Sequence, residues 1–97
     1  MSKLQINEKF EGLTSEQVFE ASKAAFNELG MVVFKVRSFA FLLQARTATE
    51  EDLINANLIV SVFENEFNLT LSSETVDKES LIDLADKFIE KVKNILR

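Results

Sequence analysis

MVVFKVRSFAFLLQARTATEEDLINANLIVSVFENEFNLTLS, residues 31–72, is the stretch whose reading decides the fold. Val32, Phe34 and Val36 alternate with Val33, Lys35 and Arg37; Phe39, Phe41, Leu43 and Ala45 alternate with Ala40, Leu42, Gln44 and Arg46. Alternation of period two, rich in β-branched and aromatic residues, reads as half-buried strands. A two-residue loop at Arg37-Ser38 sets Val36 opposite Phe39, Phe34 opposite Phe41 and Val32 opposite Leu43. All six then share one apolar face, as a consistent register requires. Tight hairpins favour Gly or Asn, and neither is present here, so one long bent strand is the competing reading.

The second half repeats the pattern. Leu58, Val60 and Val62 point one way, and Asn57, Ile59, Ser61 and Phe63 the other. A loop at Glu64-Asn65 pairs Val62 with Phe67, Val60 with Leu69 and Leu58 with Leu71, again on one face. Asn65 tolerates the left-handed conformation that such a loop requires. Between the hairpins, Thr49 and Asp52 could cap a helical turn over residues 49–55. One isolated turn has little intrinsic stability, so an acidic loop through Glu50, Glu51 and Asp52 is the preferred reading.

The flanks supply a strand and two helices. Residues 3–10 alternate as a strand with Leu4, Ile6 and Phe10 on one side and Glu8 interrupting. Thr14 followed by Gln17 forms a capping box, with Leu13 and Val18 placed as a staple. Val18, Ala21, Ala25, Phe26 and Leu29 recur at helical spacing, and Gly30 suits a left-handed stop, so a helix is expected over residues 15–29. Asp77 caps a second helix, stapled by Val76 and Leu81. Its stripe is Leu81, Ala85, Phe88, Val92 and Ile95, widened by Ile82, Ile89 and Leu96. Fewer than three heptads favour a helix lying on the sheet over a coiled coil.

The result is an α+β chain, β-α-β-β-β-β-α, with a single antiparallel five-stranded sheet. Both helices are expected on one sheet face, because that face is apolar on every strand. The 97 residues are read as one domain, 1–97. Helix segment, two hairpins and terminal helix, "GLTSEQVFEASKAAFNELGMVV" to "ESLIDLADKFIEKVKNIL", resemble the TATA-binding-protein-like, or helix-grip, fold and look like small bacterial domains of that class. The resemblance implies a first strand beside the fifth and the second at the far edge. It carries no functional residue.

Composition removes several chemistries. The chain has no His, Cys, Tyr, Trp or Pro and a formal charge of −5. The commonest general base, the thiolate nucleophile and the usual zinc ligands are therefore absent. Glu64 with Glu66, and Glu50 with Asp52, are carboxylate pairs that read as solvated turns, and catalysis is not expected. No metal or cofactor is expected. An acidic chain without a spanning apolar run or signal-peptide core is expected to be soluble and cytoplasmic, away from membranes and nucleic acid. The namesake of the resembled fold binds DNA on the helix-free sheet face. Here that face would carry Val33, Lys35, Arg37, Ala40, Leu42, Gln44, Arg46, Ile59 and Phe63. Arg37 is expected to pair with Glu64 or Glu66, since both hairpin turns lie at one end of the sheet.

Two functional expectations follow. The first is a protein-association module, a homodimer included, using Met31, Val33, Leu42, Ile59 and Phe63 on the outer sheet face, since contiguous exposed apolar side chains mark partner surfaces. The alternative is a small apolar ligand between sheet and last helix, as the helix-grip resemblance implies, lined by Phe34, Phe41, Leu43, Val60, Leu69, Phe88 and Val92. Close packing would fill that space instead.

Overall fold

The computed structural model describes residues 1–47, 52–61 and 66–97. β1 (Ser2–Lys9) leads to α1 (Ser15–Glu28), then to β2 (Met31–Arg37), a 3-10 turn (Ser38–Ala40) and β3 (Leu42–Thr47). β4 (Asn55–Val60), β5 (Glu66–Ser73) and α2 (Lys78–Ile95) follow. The sheet is antiparallel throughout in the order β1-β5-β4-β3-β2. The first strand lies beside the fifth and the second at the far edge, as the resemblance implied.

Local signals set the helix ends. Thr14 Oγ1 accepts from the Gln17 backbone N–H at 3.1 Å, and Gln17 Oε1 accepts from the Thr14 N–H at 2.9 Å. This reciprocal box satisfies two donors that would otherwise be orphaned. Gly30 closes the helix at φ +77°, where a side chain would be strained. At α2 the Asp77 carboxylate accepts from the Ser80 backbone N–H at 2.9 Å. That backbone bond, helped by the Ser80 side chain, holds the Asp77 carboxyl below its usual range.

The core lies between the sheet and the two helices. Phe10, Phe67, Phe88 and Phe26 form a chain of rings with centroid separations of 5.4, 5.6 and 4.4 Å. Leu43, Leu58, Val60, Leu69 and Leu71 come up from the strands, and Val18, Phe19, Ala25, Leu81 and Val92 come down from the helices. Phe19, omitted from the expected α1 stripe, is buried. Ile82 and Ile95, expected on the α2 stripe and its flank, are exposed. Glu8, the interruption in the β1 pattern, is ion-paired with Lys93 of α2 at 3.1 Å.

Both hairpins differ in register from the sequence reading. In the second, Val60 pairs with Phe67 and Leu58 with Leu69, two residues away from the expected pairing. A shift of two preserves parity, so Leu58, Val60, Phe67, Leu69 and Leu71 are buried as expected. The expected Val62 partnership and the Glu64-Asn65 loop lie outside the described residues. So do Ala48, Thr49, Glu50 and Glu51 of the connection between hairpins; beyond them Ile54 is buried.

The first hairpin is corrected more deeply. The chain turns through Ser38–Ala40, so Arg37 pairs with Leu42 and Val36 with Leu43. Phe41 closes the turn in the left-handed region at φ 49°, a conformation costing a non-glycine residue roughly 1–2 kcal/mol. Its ring, edge-on to Phe19 at 5.6 Å, supplies compensating contact. Between Val33 and Lys35 the ladder skips one residue. Phe34 is that extra residue, and a bulge reverses which side chains face inward on either side of it. Met31, opposite Thr47, and Val33, opposite Ala45, therefore point into the core, while Val32 and Phe34 turn outward. Phe39, expected on the apolar face, stands at the turn and is 88% exposed.

Candidate functional site: the outer sheet face

Among the described residues no helix covers the second face of the sheet, and its side chains fall in three rows. Val32, Arg46, Asn55, Ser72 and Lys3 form the first. Lys35, Gln44, Asn57, Thr70 and Gln5 form the second, and Arg37, Leu42, Ile59, Asn68 and Asn7 the third. Lys9 lies opposite Glu66 beyond them. Each row takes alternate residues whose inward neighbours fill the core.

The floor of this face is built from carboxamides. Gln44 Nε2 donates to Asn57 Oδ1 at 2.9 Å, and Gln5 Nε2 donates to Asn68 Oδ1 at 3.2 Å. These cross-strand bonds fix amide groups that still have donors and acceptors left over. Phe34, 53% exposed, overhangs a shallow hollow of about 260 Å³ bordered by Gln44, Asn55, Asn57, Thr70 and Ser72. The Arg46 guanidinium lies 5.7 Å from the Phe34 ring centroid, within cation–π range.

The face carries a charge opposite to that of the whole chain. Among the described residues of the face, Lys3, Lys9, Lys35, Arg37 and Arg46 stand against one acid, Glu66, giving a formal +4 on a chain of −5. The remaining residues thus carry −9. The ion pairs among the described residues, Lys23 with Glu20 and Lys93 with Glu8, both lie elsewhere. The expected pairing of Arg37 with Glu66 does not form, and Glu64 lies outside the described residues.

The expected interface residues separate. Leu42 and Ile59 are direct cross-strand partners on the outer face, Ile59 being 43% exposed. Met31, 5% exposed, and Val33 face inward because of the bulge, and Phe63 lies outside the described residues. Lys3 and Lys9 were missed, although SKLQINEK carries them at alternate polar positions.

The expected pocket residues also separate. Leu43, Val60, Leu69, Phe88 and Val92 are buried together in the core. Phe41 is half-buried at its margin, and Phe34 lies on the opposite face of the sheet. Of the expected carboxylate pairs, Glu66 is on β5 and Asp52 precedes β4, and Glu50 and Glu64 lie outside the described residues. No cluster of three His, Cys, Asp or Glu suited to a metal occurs among the described residues. No helix there is long and apolar enough to cross a membrane.

No protein-family model matches the chain, and no curated protein matches it in sequence. Among solved structures, the chain is similar to a TBP-like protein from Parabacteroides distasonis ATCC 8503, at 10% identity and a TM-score of 0.63, over 95% of this chain and 92% of that one. It is also similar to Ara h 8.0201, at 7% identity and a TM-score of 0.62, over 98% of this chain and 96% of that one. At such identities the likeness is one of fold, and the chain has the TBP-like β-α-β4-α fold with one antiparallel five-stranded sheet.

Proposed function

We propose that this protein is a non-catalytic association module whose working surface is the outer face of the sheet. The observation that carries this reading is the set of apolar side chains that the helix-free sheet face leaves exposed. Of eight large exposed apolar residues among the described ones, Val32, Phe34 and Ile59 stand on this face and Phe39 lies in the turn after β2, whereas Val36, opposite Leu43, belongs to the other face. Leu42 joins Ile59 across the strands. Exposed apolar side chains set among polar groups are how partner surfaces are built.

A small apolar ligand between the sheet and α2 is less well supported. It would have to displace Phe88 or Val92, which are already closely packed against Phe26, Phe67 and the sheet.

Amine-reactive cross-linking in a lysate of the producing cells, read by mass spectrometry, tests the proposal. Lys3, Lys9 and Lys35 report on the outer face, and Lys23, Lys87, Lys91 and Lys93 on the helices. Intermolecular links, to another protein or to a second copy, are expected on the first group and are expected to disappear in Leu42→Glu. Links confined to the helical lysines would overturn the proposal.

A further inference from the structure

The charge of the outer face narrows the choice of partner. The inference rests on the proposed association surface and adds its chemistry. Two copies meeting face to face about a two-fold axis would set five cations against five more, with one acid on each side. That arrangement is repulsive. We infer that the outer sheet face takes an acidic protein segment carrying apolar side chains between its carboxylates.

The geometry matches such an occupant in three respects. Cations stand at both margins, Lys3 and Lys9 on β1 and Lys35 and Arg37 on β2, with Arg46 on β3 opposite Val32. Five strands are roughly 19 Å across, a distance that about six residues of extended chain would span. Between the margins, the carboxamides of Gln44 and Asn57 offer donors and acceptors to a backbone, and Phe34 with the Leu42–Ile59 pair offers apolar contact. Among the described residues, Lys3, Lys9, Lys35 and Arg37 have no ion-pair partner.

Edge protection and nucleic-acid binding are the rival roles for these cations, and each has its own consequence. Lysine on an edge strand blocks unwanted strand pairing, which would account for Lys3, Lys9, Lys35 and Arg37 on β1 and β2 but not for Arg46 on the inner strand β3. A nucleic acid would be drawn to the same cations. Among the described residues of this face, however, Phe34 is the one aromatic ring. Stacking platforms for bases are otherwise made of several free rings.

Fluorescence anisotropy decides the matter. The probe is a labelled pool of 12-residue peptides with Glu at alternate positions and Leu, Val or Phe between them. A single-stranded DNA 12-mer is the comparator. The peptide pool should bind saturably and weaken several-fold between 50 and 200 mM NaCl. Binding should fall at least tenfold in Lys35→Glu/Arg37→Glu and in Arg46→Glu, and change less than twofold in Lys87→Glu/Lys91→Glu. Circular dichroism confirms that each exposed-site variant is folded. Absent binding, equal loss in both sets of variants, or tighter binding of the DNA overturns the inference. If the peptides fail to bind while outer-face cross-links persist, the acidic partner falls and the association surface stands. If the cross-links fail as well, both fall.

Discussion

Phe34 and Arg46 meet on the outside of the sheet, the guanidinium carbon 5.7 Å from the ring centroid. By simple alternation Phe34 belongs with Phe41 and Leu43 in the core. The bulge between Val33 and Lys35 moves it across the sheet, so its substitution distinguishes the two registers. Phe34→Ser should cost at most about 1 kcal/mol in urea unfolding, the scale of an exposed cation–π contact. A loss above about 3 kcal/mol, the scale of a core aromatic, would place the ring inside.

Phe88 is the opposite case. It touches Phe26 and Phe67 and is 1% exposed. Phe88→Ala should cost about 3–5 kcal/mol, and a loss below about 2 kcal/mol would mean a loosely filled interior and would favour a ligand between sheet and α2.

The α2 cap gives a pH-dependent prediction. The Asp77 carboxyl is held below its unfolded value by the Ser80 backbone bond. Its contribution is complete above the ordinary Asp value of about 4 and is lost as pH falls through the lower native value. Asp77→Ala should therefore lower the melting temperature at about pH 7, and the gap from wild type should narrow in strong acid. A gap that does not vary with pH would mean that the carboxylate's charge plays no part in the cap.

Gly30 offers a test of backbone cost alone. It lies at φ +77° with nothing within 4 Å of the position a Cβ would occupy. Gly30→Ala should destabilise by about 1–2 kcal/mol through conformational strain. A neutral result would show that the chain can leave α1 by another route.

The sequence revealed the element order, both helix caps and the inward set of β4 and β5, because these depend on local capping and on parity. A register error of two in the second hairpin left Leu58, Val60 and Leu69 on the correct face. The first hairpin was less legible, for two physical reasons. Its turn is formed by Ser38–Ala40 with Phe41 in a left-handed conformation, which no Gly or Asn marked in advance. The bulge at Phe34 is a tertiary solution that lets Met31 and Val33 enter the core while Val36 remains paired with Leu43. The basic outer face could be assembled only after β1 was placed beside β5, bringing Lys3 and Lys9 onto the same surface as Lys35 and Arg46.

The most direct test of the outer face as the working surface is amide chemical-shift mapping of the labelled protein, titrated with the alternating Glu/apolar peptide pool. Shifts concentrated at Lys35, Gln44, Arg46, Asn57, Ile59 and Thr70, with α1 and α2 unmoved, are the predicted result. Shifts centred on Phe26, Phe88 and Val92, with the outer rows unmoved, would contradict the account and place binding between the sheet and the helices.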